Sequence, residues 1–139
     1  MKVKTYLDSN ILIAAFRGDD KTSRLALEIL DDPNREFVVS DYLRLEILPK
    51  PSYYRREEEI AFMKTVLDNS VQTVESTLEL TTEAIQFASR YDLSPMVALH
   101  VASAFIGDVD ELITLEKSTS PLCRVKEIQI VSINPSRQE

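Results

Sequence analysis

The sequence predicts an α/β fold in which a parallel sheet is covered by helices on both faces, a three-layer α/β/α arrangement. Short apolar runs of strand character alternate with helix-period segments from end to end, the pattern of a parallel sheet with crossover helices. Caps and breakers fall where these segments change over. The length of 139 residues suits one domain, with an ordered core from about residue 3 to 133. A chain of that size buries roughly 70% of its unfolded surface, enough for a core without staples.

The elements follow in order. Val3–Leu7 reads as a short strand, and Ile11–Phe16 as a helix beginning close to Asp8. Gly18-Asp19-Asp20 breaks it. Thr22–Asp32 reads as a second helix, stopped by Pro33-Asn34. Glu36–Val39 is a second strand. Ser40 fits a helix N-cap, with Asp41 where the dipole favours an anion. Pro49 and Pro51 are expected to end that helix. Glu57–Glu59 lead into another, whose Ile60, Met63 and Leu67 fall on one stripe.

Ser70–Val74 is a third strand. The helix from about Leu78 to Tyr91 places Ala84, Phe87, Ala88 and Tyr91 on one face. Ser94-Pro95 combines an N-cap with proline at the first helical position. The helix it starts, from Met96 to about Ile106, is apolar nearly all round and is expected to be buried. Gly107-Asp108 ends it. Glu111–Thr114 is the fourth strand and Ile128–Ile133 the fifth, and residues after Asn134 are expected to fray.

Composition narrows the function. Cys123 is the only cysteine, which leaves no intramolecular disulfide and no cysteine zinc cluster. A reducing cytoplasm is the default. No apolar run approaches the roughly 20 residues of a membrane helix, and the first residues lack a signal-peptide core. Sixteen basic and 23 acidic residues give a formal charge of −7. That argues against non-specific duplex binding. It leaves room for a metal-dependent nuclease, because bound cations reverse the local field, and it suits a basic partner. With two glycines in the chain, a glycine-rich phosphate loop is excluded.

Carboxylates at strand ends carry the chemistry, since such ends face the crevice where α/β sheets bind ligands. Asp8 closes the first strand, Glu46 lies within Ser40–Leu48, and Glu116 follows the fourth strand. If they converge they form a hard-oxygen site for Mg²⁺ or Mn²⁺, the chemistry of phosphodiester hydrolysis. Each has a plainer reading. Asp8 can simply cap its helix, Glu46 can point to solvent, and Glu116 can pair with Lys117 in a loop. Thr114 or Ser118 could supply a hydroxyl beside Glu116. His100, the only histidine, reads as a hydrogen-bonded core residue rather than a base. Cys123 reads as a small buried hydrophobe. Tyr53-Tyr54-Arg55-Arg56, with Lys50 upstream, could stack on single-stranded RNA or be a solvated lead-in to a helix.

Taken together these segments resemble the PIN-domain family, the fold of VapC-type toxins. Tyr6-Leu7-Asp8-Ser9-Asn10-Ile11-Leu12-Ile13 is similar to that family's first motif and Ser40–Leu48 to its second. Ala98-Leu99-His100-Val101-Ala102-Ser103-Ala104 is similar to the third, and Asp110–Lys117 to the fourth. The resemblance implies a doubly wound parallel sheet of four or five strands. It also implies an acidic pocket for one or two Mg²⁺ or Mn²⁺ ions, and a metal-activated water that cleaves single-stranded RNA. By position it carries over Asp8 and Glu46 as metal ligands, with Glu116 at the fourth motif's acid. Ser9, Asn10 and Thr114 carry over as supporting polar groups. An antitoxin protein partner follows, as does a homodimer formed through the helices around residues 40–69.

Two departures from the family pattern stand out. The third motif usually begins with aspartate, and here the residue is Val97, which cannot ligate a metal. The fourth usually presents aspartate where this chain has Glu116, whose carboxylate reaches about 1.5 Å further. Asp92 is a nearby acid that could compensate. A second reading is therefore a weakened or inactive PIN-like domain that binds RNA or a protein partner. A dehalogenase-like phosphatase would need a second aspartate two residues after Asp8, and the residue there is Asn10.

Overall fold

The computed structural model describes residues 2–135; of the fraying expected after Asn134, the part at residues 136–139 lies outside them. Five strands are present: β1 (Val3–Leu7), β2 (Arg35–Ser40), β3 (Gln72–Val74), β4 (Glu111–Thr114) and β5 (Gln129–Ser132). All are parallel, in the order β3-β2-β1-β4-β5. The helices are α1 (Ser9–Arg17), α2 (Asp20–Leu30), α3 (Asp41–Ile47), α4 (Pro49–Tyr53), α5 (Glu57–Asp68), α6 (Leu78–Tyr91) and α7 (Pro95–Ile106). A single 3₁₀ turn, Pro121–Arg124, precedes β5. The chain builds outward from β1 through β2 to β3, then crosses back through α6 and α7 to β4 on the other side of β1. The connection therefore reverses between β1 and β4, and in open α/β sheets that reversal opens a crevice at the carboxyl ends of the strands.

Alternate strand residues feed two cores. Tyr6, Val38 and Leu112 pack with Val74, Leu80, Phe87, Val101 and Ala104 under α6 and α7. Leu7, Val39 and Ile113 pack on the other face with Ile11, Leu12, Leu43, Ile47 and Met63 of α1, α3 and α5. The period of two along a strand divides the faces in this way.

Local signals set the helix ends. Asp19 caps α2 by accepting from the Thr22 amide, and Thr77 caps α6 by accepting from Leu80. Gly18 closes α1 so tightly that an added Cβ would sit 2.6 Å from the Ala14 carbonyl oxygen. One expectation needs correction. Pro49 and Pro51 do not simply stop a helix: α3 ends at Ile47, and Pro49 opens the short helix α4, whose Pro51 is buried. Proline is pre-organised for the first turn, where its missing amide is not needed.

At the amino ends of the strands, opposite the crevice, Glu111 is buried. Its Oε2 accepts from the Thr5 hydroxyl at 2.6 Å and from Arg35 Nε at 2.8 Å. Arg35 also donates to Asp32 at 2.7 Å, so the charges are paired as a buried carboxylate requires. Near β5, Glu127 accepts from the Tyr91 hydroxyl at 2.6 Å and is ion-paired with Arg90. The Tyr91 hydrogen bond, reinforced by the Arg90 charge, holds the Glu127 carboxyl below the usual glutamate range.

Two outcomes follow. Glu111→Ala strands the buried Thr5 hydroxyl and costs about 2–3 kcal/mol, the low side for a broken buried pair because Arg35 keeps Asp32. Urea unfolding reads this as a lower midpoint at unchanged slope. Because the folded Glu127 carboxyl titrates below its unfolded value, its contribution is present above about pH 4.3 and is lost as pH falls through the folded value. The stability gap between wild type and Glu127→Gln is therefore open at neutral pH and closes in acid, as parallel unfolding curves would show.

Candidate active site

The crevice between β1 and β4 is built around Asp8. This residue ends β1 and caps α1, and its Oδ1 accepts from the Ser9 amide at 2.8 Å. Its Oδ2 accepts from the Thr114 hydroxyl at 2.7 Å. The plainer reading of Asp8 as a helix cap therefore holds. Asp8 is a helix cap, and it is also a nearly buried carboxylate at 9% exposure held at the reversal point of the sheet.

Thr114, fully buried at the end of β4, organises the opposite wall. Its Oγ1 donates to Asp8 and accepts from Asn10 Nδ2 at 3.3 Å and from the Glu116 amide at 3.0 Å. Asn10 Oδ1 in turn accepts from the Leu115 amide at 3.0 Å. A hydroxyl has one hydrogen and two lone pairs, so Thr114 is fully used. The Glu116 backbone is thereby pinned beside Asp8, and its carbonyl accepts from Ser132 Oγ. The Glu116 side chain is exposed and makes no ion pair with Lys117 among the described residues.

Glu46 reaches the crevice from α3, with 31% of its side chain exposed. Its Oε1 is 2.5 Å from His100 Nε2. That hydrogen bond draws the Glu46 carboxyl below the usual glutamate range, helped by the His100 charge interaction and by the Ser9 hydroxyl. His100 is 3% exposed on α7, and its Nδ1 lies 2.7 Å from the Tyr6 hydroxyl. That hydroxyl lies 2.6 Å from Ser40 Oγ, which caps α3 by accepting from the Leu43 amide at 3.0 Å. Burial pushes the Tyr6 phenol well above its usual range, so it keeps its proton. His100 is a hydrogen-bonded core residue as expected, but its outer nitrogen meets a candidate site carboxylate. Sequence reasoning did not pair the two. The available signal was Tyr6, a strand tyrosine whose buried hydroxyl requires a partner.

No hydrogen bond among the described residues joins the remaining candidates to the Asp8 group. Val97, in the first turn of α7, is half-buried and packs against the α6–α7 core. Asp92 is exposed, closes α6 in the left-handed conformation (φ 56°), and makes no hydrogen bond to the Asp8 group. Tyr53 is 79% exposed, and Arg56 stands 4.9 Å over the Tyr54 ring. No hydrogen bond joins that patch to the crevice. Cys123 is half-buried rather than buried, and its thiol donates weakly to the Lys117 carbonyl at 3.4 Å.

Among the described residues no three His, Cys, Asp or Glu side chains are gathered to hold a metal. Asp8 and Glu46 each keep lone pairs after the bonds above. Mg²⁺ commonly takes one or two protein carboxylates and fills its other positions with water and substrate phosphate, so carboxylates of this kind suit such an ion. Thr114→Val keeps the shape of Thr114 while removing the donor to Asp8 and stranding two amide hydrogens. It lowers stability by about 1–3 kcal/mol in urea unfolding, and Thr114→Ser restores most of the loss.

A family model described as PIN domain matches residues 5–127. No curated protein matches the chain. Solved structures do. VapBC2 from Rickettsia felis, bound to a DNA fragment from its promoter, aligns with TM-score 0.69 at 12% identity, over 93% of this chain and 98% of that one. A toxin–antitoxin complex from Klebsiella pneumoniae aligns with TM-score 0.68 at 20% identity, over 92% and 96%. DNA-bound VapBC from Salmonella typhimurium aligns with TM-score 0.63 at 13% identity, over 94% and 98%. At these identities the likeness is one of fold.

Proposed function

This chain belongs to the PIN-domain family, and from that premise we propose that it is a metal-dependent endoribonuclease, the toxin half of a VapC-type toxin–antitoxin pair. The observation that carries the reading is the Asp8 carboxylate, nearly buried at the reversal point of the sheet and held there by Thr114. Asp8 and Glu46 would hold Mg²⁺ or Mn²⁺, with Glu116 the third acid, its backbone already anchored at the crevice. When bound, the ion supplies Lewis-acid polarisation of a phosphate oxygen and activation of a water for in-line attack.

The chain's own residues do the rest. Thr114 and the Ser9 amide hold Asp8 in one orientation. The dipole of α1 favours an anion such as a phosphate near its amino end. Asn10 ties that helix end to the Leu115 amide, which keeps the two walls in register. The substrate is single-stranded RNA and the site of action the cytoplasm. Among the described residues no helix is long and apolar enough to cross a membrane. The solved neighbours from Rickettsia felis and Salmonella typhimurium are VapBC complexes. They support an antitoxin as partner here, and the −7 charge suits a basic one. A homodimer is also part of the reading. Its contact is better sought on the uncharged α6–α7 face lined by Thr81, Ile85, Ala88, Leu93 and Leu99 than on the charged helices of residues 40–69.

Two observations favour a second reading, a PIN domain whose catalysis is weak or lost. Val97 stands where the family usually has aspartate, and three acids are not gathered among the described residues. Cleavage of single-stranded RNA in Mn²⁺ and in EDTA decides between the readings. Under the nuclease reading wild type cleaves only with metal, Asp8→Ala abolishes cleavage with the fold intact, and Val97→Asp raises the rate. Cleavage that survives Asp8→Ala in a clean preparation would overturn the assignment of Asp8. Cleavage that first appears in Val97→Asp would establish the second reading.

A further inference from the structure

Beyond the carboxylates, the crevice is connected to the core by a continuous hydrogen-bonded chain. The Leu43 amide donates to Ser40 Oγ. Ser40 Oγ and Tyr6 Oη are 2.6 Å apart, Tyr6 Oη and His100 Nδ1 2.7 Å, and His100 Nε2 and Glu46 Oε1 2.5 Å. A carboxylate only accepts, so Nε2 carries a hydrogen. The Tyr6 hydroxyl also has Ser103 as a side-chain partner, and Ser103 donates its own hydrogen to the Leu99 carbonyl at 2.7 Å. No buried side-chain polar atom is left unpaired among the described residues.

We propose that His100 is a positioning residue: a buried imidazole, held at Nδ1 by Tyr6, that donates from Nε2 and so orients the Glu46 carboxylate in the crevice for a divalent ion. The inference rests on the metal-site reading above and adds the device that sets one of its two carboxylates. Glu46 sits on a seven-residue helix with much of its side chain open to solvent, and glutamate has three rotatable bonds. A free glutamate there would sample many rotamers, and selecting one on metal binding costs conformational entropy. His100 has no such freedom. Its ring is buried, tilted 56° to Tyr6 with centroids 5.7 Å apart, and tied at both nitrogens. Strand β1 thus supplies Asp8 directly and sets Glu46 at one remove, through Tyr6 and His100. Partners that orient a ligand from outside the metal shell are typically worth 10- to 100-fold in metal affinity.

The test combines imidazole ¹⁵N NMR with Mn²⁺ binding followed by the EPR signal of free ion. Wild-type His100 is expected to show Nε2 protonated and hydrogen-bonded to Glu46, and Glu46→Ala to lose that bond. His100→Ala is expected to weaken Mn²⁺ binding by about tenfold. His100→Gln, which fills the space and keeps a donor, should recover most of it. Asp8→Ala serves as the control for the site itself. A bare Nε2 in the wild type overturns the proposal. So does Mn²⁺ affinity that falls in Asp8→Ala but is unchanged in a folded His100→Ala or worse in His100→Gln than in His100→Ala. Equal binding by wild type and Asp8→Ala removes the metal site, and with it the task assigned to His100. That outcome is distinct because the control fails before the His100 variants are compared.

Discussion

The structure depends on β1 being the middle strand of a sheet buried on both faces. Three consecutive residues meet three different environments. Tyr6 enters the α6–α7 core, Leu7 enters the α1–α3–α5 core, and Asp8 leaves the strand at the crevice. A slip of one residue would exchange all three. Tyr6 is also the polar side chain that a doubly covered strand can least tolerate unpaired. Its hydroxyl is satisfied by Ser40 at the start of α3 and by His100 within α7. The requirement that a buried phenol find partners therefore ties together the helices that flank the crevice.

Much of this was legible in the sequence, because it is written in local signals. The strand and helix periods, the Ser40 cap, the Ser94-Pro95 start and the Gly107-Asp108 stop each act over a few residues. What was not legible depends on residues far apart in the chain. Glu111 opens a four-residue strand buried throughout. Nothing beside it in sequence announces that Thr5 and Arg35 will flank it. Glu59 looks like one of three solvated glutamates, yet it is buried against Arg17. Pro49 failed for a different reason. Proline stops the helix before it and suits the first turn of the helix after it, so the residue alone does not say which.

At the crevice the same division applies. Asp8 was recognisable because a strand ending in aspartate and turning straight into a helix is a local event. The connection of Thr114 to Asp8, Asn10 and Glu116 joins residues more than a hundred positions apart in two of its three bonds. Only the sheet order brings them together. The family pattern supplied Thr114 and Asn10 as supporting groups without saying what they support. The geometry says it: they fix the Asp8 carboxylate and the turn carrying Glu116.

Charge sets the remaining constraint. A carboxylate at position 97 would add a further negative charge to a chain already at −7, whereas valine packs against the α6–α7 core there. With valine the fold gains apolar contact and the crevice keeps less charge with which to hold a cation. The consequence reaches the substrate. A chain with excess negative charge cannot draw RNA by long-range attraction, since that attraction comes from cations displacing counterions along the phosphates. Under the nuclease reading, recognition of a single strand would rest on contacts inside the crevice, where a bound ion would act over a few ångströms and added salt screens least. A basic protein partner meets the opposite situation and is attracted over the whole acidic surface. The same charge excess therefore favours association with such a partner over association with RNA.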